Sequence, residues 1–234
     1  MSKQTYKSDK IRTIVAVGVF SALAFICCLL FHFKAAFLSF DLKDAVMTVG
    51  AMLFGPIYGF AMSLIVALLE LITISSTGFY GFIMNVLSSV AFVCVGSFIY
   101  SRKRTMKGAL IGMLASIISM TAVMLVANLI ITPFYMGATM LDVAKLIPSL
   151  LLPFNLTKAI FNASLVFLIY KPISTAIRAA GFVQVSYDST GITASAAEKK
   201  RAFTSPVILI VSACVGVLAL VFFFVKLGGS FSII

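Results

Sequence analysis

The chain has 234 residues, of which 62% are hydrophobic and only 11% charged, with no tryptophan and a formal net charge of +11 at pH 7. A soluble domain carries charge on about a quarter of its residues, so this composition excludes an ordinary water-soluble fold and indicates an all-α integral membrane protein. The basic residues lie between apolar runs, a pattern of membrane topology, and nucleic acid is set aside as a partner.

In chain order, residues 1–12 carry Lys3, Lys7, Lys10 and Arg12 and lead into a first apolar span at about 13–33. A basic start before an apolar run is also how a secretory signal begins, but the run continues to Phe33, beyond the roughly 7–15 residues of a signal's apolar region. It is expected to stay as a span. Apolar segments follow at about 45–54 and 57–74, separated by Gly55-Pro56 and read as two helices joined by a tight turn. Further spans at about 79–100, 109–135 and 149–170 approach or exceed the roughly 20 residues a membrane helix needs. Residues 13–178 thus form one six-helix membrane domain. The stretch 179–204, with Ser186, Ser189, Thr190, Gly191 and the closing Lys199-Lys200-Arg201, loses the apolar pattern and reads as a linker. Residues 205–234 hold one more apolar helix, at about 205–225, and a short tail.

Alternate counting of the spans places thirteen of the eighteen Lys and Arg on one side, in 1–12, at Arg102 to Lys107 and from Lys171 to Arg201. That side is expected to be the cytoplasm, with the N-terminus inside and the C-terminus outside. Lys34, Lys43, Lys145 and Lys226 fall on the opposite side with Asp41, Asp44 and Asp142, and Lys158 is the only basic residue within a span. His32, alone at a membrane edge, reads as interfacial. Cys27, Cys28, Cys94 and Cys214 sit in apolar runs without CxxC spacing, so neither a disulfide nor a metal site is expected.

The most distinctive motif opens the sixth span: Pro153-Phe154-Asn155-Leu156-Thr157-Lys158. A charged side chain in hydrocarbon is costly and marks a functional candidate. Asn155, Lys158 and Asn162 are spaced to share one helix face, and Lys158 lies about 7 Å along the helix from Pro153. Asn128, Asn85 and Glu70 fall at comparable depths in the fifth, fourth and third spans, and Phe40, Phe79, Tyr80, Phe82, Tyr135 and Phe154 stand at the same level. The convergence suits a pocket open to the outside, walled by apolar and aromatic groups with a few polar ones. Two roles stay open for Lys158: a ligand contact, or an ion pair with Glu70 or Asp44. The asparagines are either ligand contacts or interhelical hydrogen bonds, with Asn162, the deepest, read as structural.

Phe40-Asp41-Leu42-Lys43-Asp44, the turn Phe54-Gly55-Pro56 with Gly59, Met84-Asn85, Asn128 before Pro133, and above all Pro153-Phe154-Asn155 with Lys158, together resemble the riboflavin-specific substrate-binding (S) component of energy-coupling factor (ECF) vitamin transporters. The likeness covers about residues 13–178. It implies a six-helix S-component-like bundle that captures riboflavin from outside as a transported ligand, with no cofactor, and works with a transmembrane coupling protein and two cytoplasmic ATPases. On that resemblance Asn128, Asn155 and Lys158 hydrogen-bond the ligand and Leu42 closes over it; Asp44, Asn85, Phe79 and Tyr135 complete the candidate set. Gly18 and Ala22, spaced small-xxx-small in the first helix, are the candidate docking surface. The helix at 205–225 has no counterpart in the six-helix pattern, and ligand capture is expected to need nothing beyond Arg178. The chain carries no GxxxxGK[ST] phosphate loop, so ATP use falls to partners.

Other classes fit less well. No HExxH or GxSxG motif supports an intramembrane enzyme. An ion-coupled carrier working alone would place its polar groups at the midplane of inverted repeats. An S component for another flavin or heterocyclic vitamin stays open.

Overall fold

The computed structural model describes residues 3–31, 33–75, 77–180, 206–228 and 230–231, with side chains described from Ile11 onward except at 33, 34, 230 and 231. His32 and nearly all of the expected linker lie outside the described residues. Helix α1 (Lys3–Leu30) leads into a hairpin of β1 (Phe33–Ala35) and β2 (Leu38–Phe40), then α2 (Lys43–Phe54), α3 (Pro56–Thr73), α4 (Gly78–Arg102) and α5 (Met106–Met136). A short α6 (Met140–Leu146) passes through a π-helical turn (Ile147–Leu151) into α7 (Leu152–Ala179). After it come α8 (Pro206–Lys226) and β3 (Ser230–Phe231).

Among the described residues six helical segments are long and apolar enough to cross a membrane: α1 from Ile11, α3, α4, α5, the continuous stretch Met140–Ala179, and α8. Helix α2 differs in kind. Its 12 residues extend about 18 Å, short of the roughly 30 Å hydrocarbon core. Every residue from Lys43 to Leu53 is buried, so α2 is wrapped by protein, and polar groups at its start can be satisfied without facing lipid. Gly55 makes the reversal into α3 with φ 118°, a conformation L side chains rarely adopt, and Pro56 then occupies the first turn of α3, where its missing N–H costs nothing.

The helices pack through small residues. A Cβ added at Gly112 of α5 would lie 2.9 Å from the Gly96 carbonyl oxygen of α4, so these two helices approach closely only because both positions are glycine. Phe20, Met47, Met52, Met62, Phe92, Met113 and Met120 fill the main core. Toward the end distant from β1–β2, the Tyr100 and Tyr170 hydroxyls meet at 2.9 Å and tie α4 to α7.

The C-terminal helix is no separate appendage. It lies along α7 with Ser212, Gly216, Ala219 and Phe223 buried. Beyond it β3 pairs antiparallel with β1, Phe33 opposite Phe231 and Lys34 opposite Ser230, giving a small sheet in the order β2-β1-β3.

Candidate functional site

Between β2 and α2 the chain runs Ser39-Phe40-Asp41-Leu42-Lys43-Asp44, with three charged residues in four positions. All three are buried, as are Glu70 of α3 and Lys158 of α7, none more than 4% exposed. Charges this deep are costly unless paired and hydrogen-bonded. Asp41, Lys43, Glu70 and Lys158 pair with one another, whereas Asp44 accepts from the Ser89 hydroxyl through one oxygen and its other oxygen has no hydrogen-bond partner among the described residues. The Lys158 Nζ donates to Asp41 Oδ2 at 2.9 Å and to the Ser39 carbonyl at 3.2 Å. The Lys43 Nζ bridges both Glu70 oxygens, at 2.6 and 2.7 Å, and lies 3.7 Å from Asp41 Oδ2. The Asn85 amide of α4 donates to Glu70 Oε2. A single network thereby joins β2, α2, α3, α4 and α7.

Asn162 has the structural role expected of it. The start of α2 has no side-chain cap of its own, and its orphan amide at Ala45 donates instead to Asn162 Oδ1 at 3.0 Å. The same side-chain amide donates to the Asp41 and Lys158 carbonyls, each at 3.1 Å. The shared face of α7 predicted from the spacing of 155, 158 and 162 therefore holds the strap at Asp41 and the first turn of α2 together.

A cavity of about 110 Å3 lies above this network. Phe37, Leu38, Ser39 and Asp41 of the β1–β2 strap line it, facing Asn155, Lys158 and Phe154 of α7. Glu70, Met84, Asn85, Met124, Tyr135 and Cys28 complete most of its wall. Phe37 and Tyr135 meet edge to face at 6.3 Å. Lys158 and Asn155 keep hydrogen-bonding capacity at the wall, as does the Ser88 hydroxyl, which has no hydrogen-bond partner among the described residues. Lys158 has three N–H donors and directs two to Asp41 and Ser39. Asn155 gives one amide N–H to the Leu151 carbonyl at 2.8 Å and retains its other donor and its acceptor. The π-helical turn just before α7 contains Pro148 and sets the entry of this segment; such turns concentrate at functional positions.

Of the candidate set, Asn85, Tyr135, Asn155 and Lys158 share the cavity wall. The other four lie elsewhere. Phe79 is 64% exposed on the outer surface of α4. Asn128 is buried in α5, where its amide donates to the Met124 carbonyl at 2.7 Å and its oxygen accepts from the Thr132 hydroxyl at 3.0 Å. Asp44 accepts from the Ser89 hydroxyl at 2.6 Å behind the wall. Leu42, half-buried, packs with Phe40 and Phe154 in the second apolar cluster. The expected pairing of Lys158 with Glu70 or Asp44 is corrected: its partner is Asp41, because Lys43 already occupies Glu70. Asp41, on the cavity wall, and Lys43, behind it, belong to the site although the sequence places both in an outer loop. The available signal for Lys43 was Glu70, an acidic residue in an apolar span that needs a cation nearby. Gly18 and Ala22 lie on an exposed face of α1, and nothing comes within 4 Å of a Cβ placed at Gly18.

The family model described as "ECF transporter, substrate-specific component" matches residues 12–170. The chain is 26% identical over 176 residues to the riboflavin transporter RibU of Staphylococcus aureus (strain TCH60), covering 71% of this chain and 93% of that one. It is also 26% identical over 178 residues to the riboflavin transporter FmnP of Bacillus subtilis (strain 168), covering 70% and 94%. In fold it is similar to a solved S component of a bacterial ECF transporter, with a TM-score of 0.62 at 23% identity, over 72% of this chain and 99% of that one.

The network predicts its own energetics. Lys43→Met strands the Glu70 carboxylate and is expected to destabilise the detergent-solubilised protein by about 3–5 kcal/mol, read as a lowered thermal midpoint. Adding Glu70→Gln removes the stranded charge and should recover most of that loss. An unchanged midpoint in the single variant would show that the pair carries no weight.

Proposed function

Because the chain belongs to the family of substrate-specific components of ECF transporters, we propose that it captures riboflavin at the cavity beneath the β1–β2 strap and delivers it to an ECF importer. It is a multi-pass membrane transport component, not an enzyme. The observation that carries the riboflavin reading is the joint presence of Asn155 and Lys158, each with spare hydrogen-bonding capacity, on one cavity wall with Phe37, Tyr135 and Phe154. Riboflavin offers a flat ring system with carbonyl and N–H groups on one edge and a hydroxylated side chain. Aromatic walls suit the ring faces, while an ammonium and amides suit the edge and the hydroxyls. The two relatives named as riboflavin transporters support the same ligand.

Charge argues for riboflavin over its phosphorylated forms. Asp41 and Glu70 line the cavity, and Lys158 and Lys43 are already committed to them. A ligand phosphate would meet two carboxylates and no surplus cation among the described residues. Size adds a requirement, since sites for drug-sized ligands span about 300–1,000 Å3 and this cavity holds about 110 Å3. The strap must lift for the ligand to enter and settle around it afterwards.

In the membrane, the cavity end faces outward. The opposite end carries Arg102, Lys103, Arg104, Lys107, Lys171 and Arg178, as the positive-inside rule requires of the cytoplasmic side. The coupling protein and two ATPases of an ECF module supply the energy, and the exposed face of α1 around Gly18 and Ala22 is where the coupling protein docks.

Riboflavin titration of the purified protein, followed by quenching of flavin fluorescence, tests the site. Lys158→Met should weaken binding by about 1.5–3 kcal/mol and Asn155→Ala by about 1 kcal/mol. Asp41→Asn combined with Lys158→Met removes the stranded carboxylate; if that double variant binds as the wild type does, Lys158 is only an ion-pair partner. For docking, Gly18→Leu or Ala22→Leu should abolish riboflavin uptake by cells carrying the ECF module while leaving binding by the purified chain intact. Joint loss of binding and uptake would place these residues in the bundle's own folding.

A further inference from the structure

The sequence resemblance ends near residue 178 and the family match at residue 170, yet the segment after them reaches the strap. Phe223 of α8 is fully buried. Its ring centroid lies 4.6 Å from that of Phe40 in β2 and 6.2 Å from that of Phe154 in α7. Phe40 stands between Ser39 and Asp41, which line the cavity, and Phe154 lines it directly beside Asn155. Beyond α8, β3 adds a third strand against β1. The strap alone is two strands of three residues, and an isolated hairpin is marginal at best. Its inner end is tied down by the Asp41–Lys158 pair, and its first strand, β1, is paired with β3. Helix α8 in turn sits firmly on α7, where a Cβ at Gly216 would meet Ser164 Cβ at 3.5 Å.

We propose that α8 and β3 are a working part of the ligand site: they clamp the β1–β2 strap over the cavity, with Phe223 as the positioning residue that seats Phe40 against α7. Ligand entry and release then require this clamp to yield, and the expectation that capture needs nothing beyond Arg178 is replaced by one in which the C-terminal segment sets the rate of strap opening. The clamp rests on the reading of the cavity as a ligand site, but its consequences can be measured without ligand.

Cys28 supplies the probe, being buried and part of the cavity wall. In the full chain carrying Cys27→Ala, Cys94→Ala and Cys214→Ala, the rate of Cys28 alkylation by N-ethylmaleimide reports access to the cavity. Phe223→Ala is expected to raise that rate about tenfold or more, a part of the full cost of losing a buried aromatic side chain, and Phe223→Leu to raise it less. Hydrogen–deuterium exchange in the same proteins should increase across 33–40 and stay unchanged in α3, α4 and α5. Should Phe223→Ala fail to fold, Gly216→Leu, which puts a bulky side chain where α8 meets α7, is read in the same two assays with the same expected result. Unchanged alkylation and strap exchange in a folded variant would overturn the clamp. So would exchange that rises equally through α3 to α5, which would make Phe223 ordinary bundle packing. A wild-type chain that fails to bind riboflavin would instead count against the ligand assignment and leave the strap measurements standing.

Discussion

Everything at the cavity end of this protein depends on the burial of Asp41, Lys43, Glu70 and Lys158 in a single network. Removing such charges from water costs several kcal/mol each, and their mutual attraction offsets that cost only when geometry and hydrogen bonds are complete. The network forms only if β2, α2, α3, α4 and α7 all stand in their observed places. Long apolar helices have many near-equivalent ways to pack, because lipid is as apolar as their side chains. A buried ionic cluster admits few of them. The physical role of these residues is therefore first to fix an arrangement, and the cavity is the space that this arrangement leaves.

The short helix α2 makes such a cluster tolerable. Its first turn enters the bundle from the cavity end, surrounded by protein, and Asn162 satisfies the amide that would otherwise be orphaned at Ala45. Polar backbone and charged side chains at membrane depth are tolerated when they are buried in protein or line a cavity, and here both conditions hold. Asn155 and Lys158 share a helix face with Asn162, so the residues that present donors to the cavity and the residue that anchors α2 are held by the same rigid element. A ligand contact at Lys158 would be felt at Asp41 and hence at the strap, which links occupancy of the cavity to its cover.

Much of this was legible in the sequence. The apolar spans, the Gly55-Pro56 reversal, the polar face of α7 and the structural role of Asn162 all follow from periodicity and from the cost of polar groups in hydrocarbon. Three features were not. The strap Phe33–Phe40 carries no glycine or asparagine to mark its turn, and the reversal falls on Ala36, at φ 53°, so the segment reads as the trailing end of the first span followed by a loop. Lys43 looked like a loop cation because its partner lies 27 positions away, and only the folded chain brings Glu70 beneath it. The contact of Phe223 with Phe40 was invisible because an apolar helix after a polar stretch gives no sign of which neighbour it will lie against. Depth along a helix also proved a weaker guide than direction. Asn128 and Phe79 lie at the predicted end of the bundle, yet one bonds within its own helix and the other faces outward.

Whether this cavity holds a flavin is read from the visible absorption spectrum of the wild-type protein purified from cells grown with added riboflavin. A flavin site there gives a yellow protein that retains one flavin per chain through washing, extracted by denaturation as riboflavin and not as its phosphate. A colourless protein that also takes up no riboflavin on addition of the pure vitamin would contradict it.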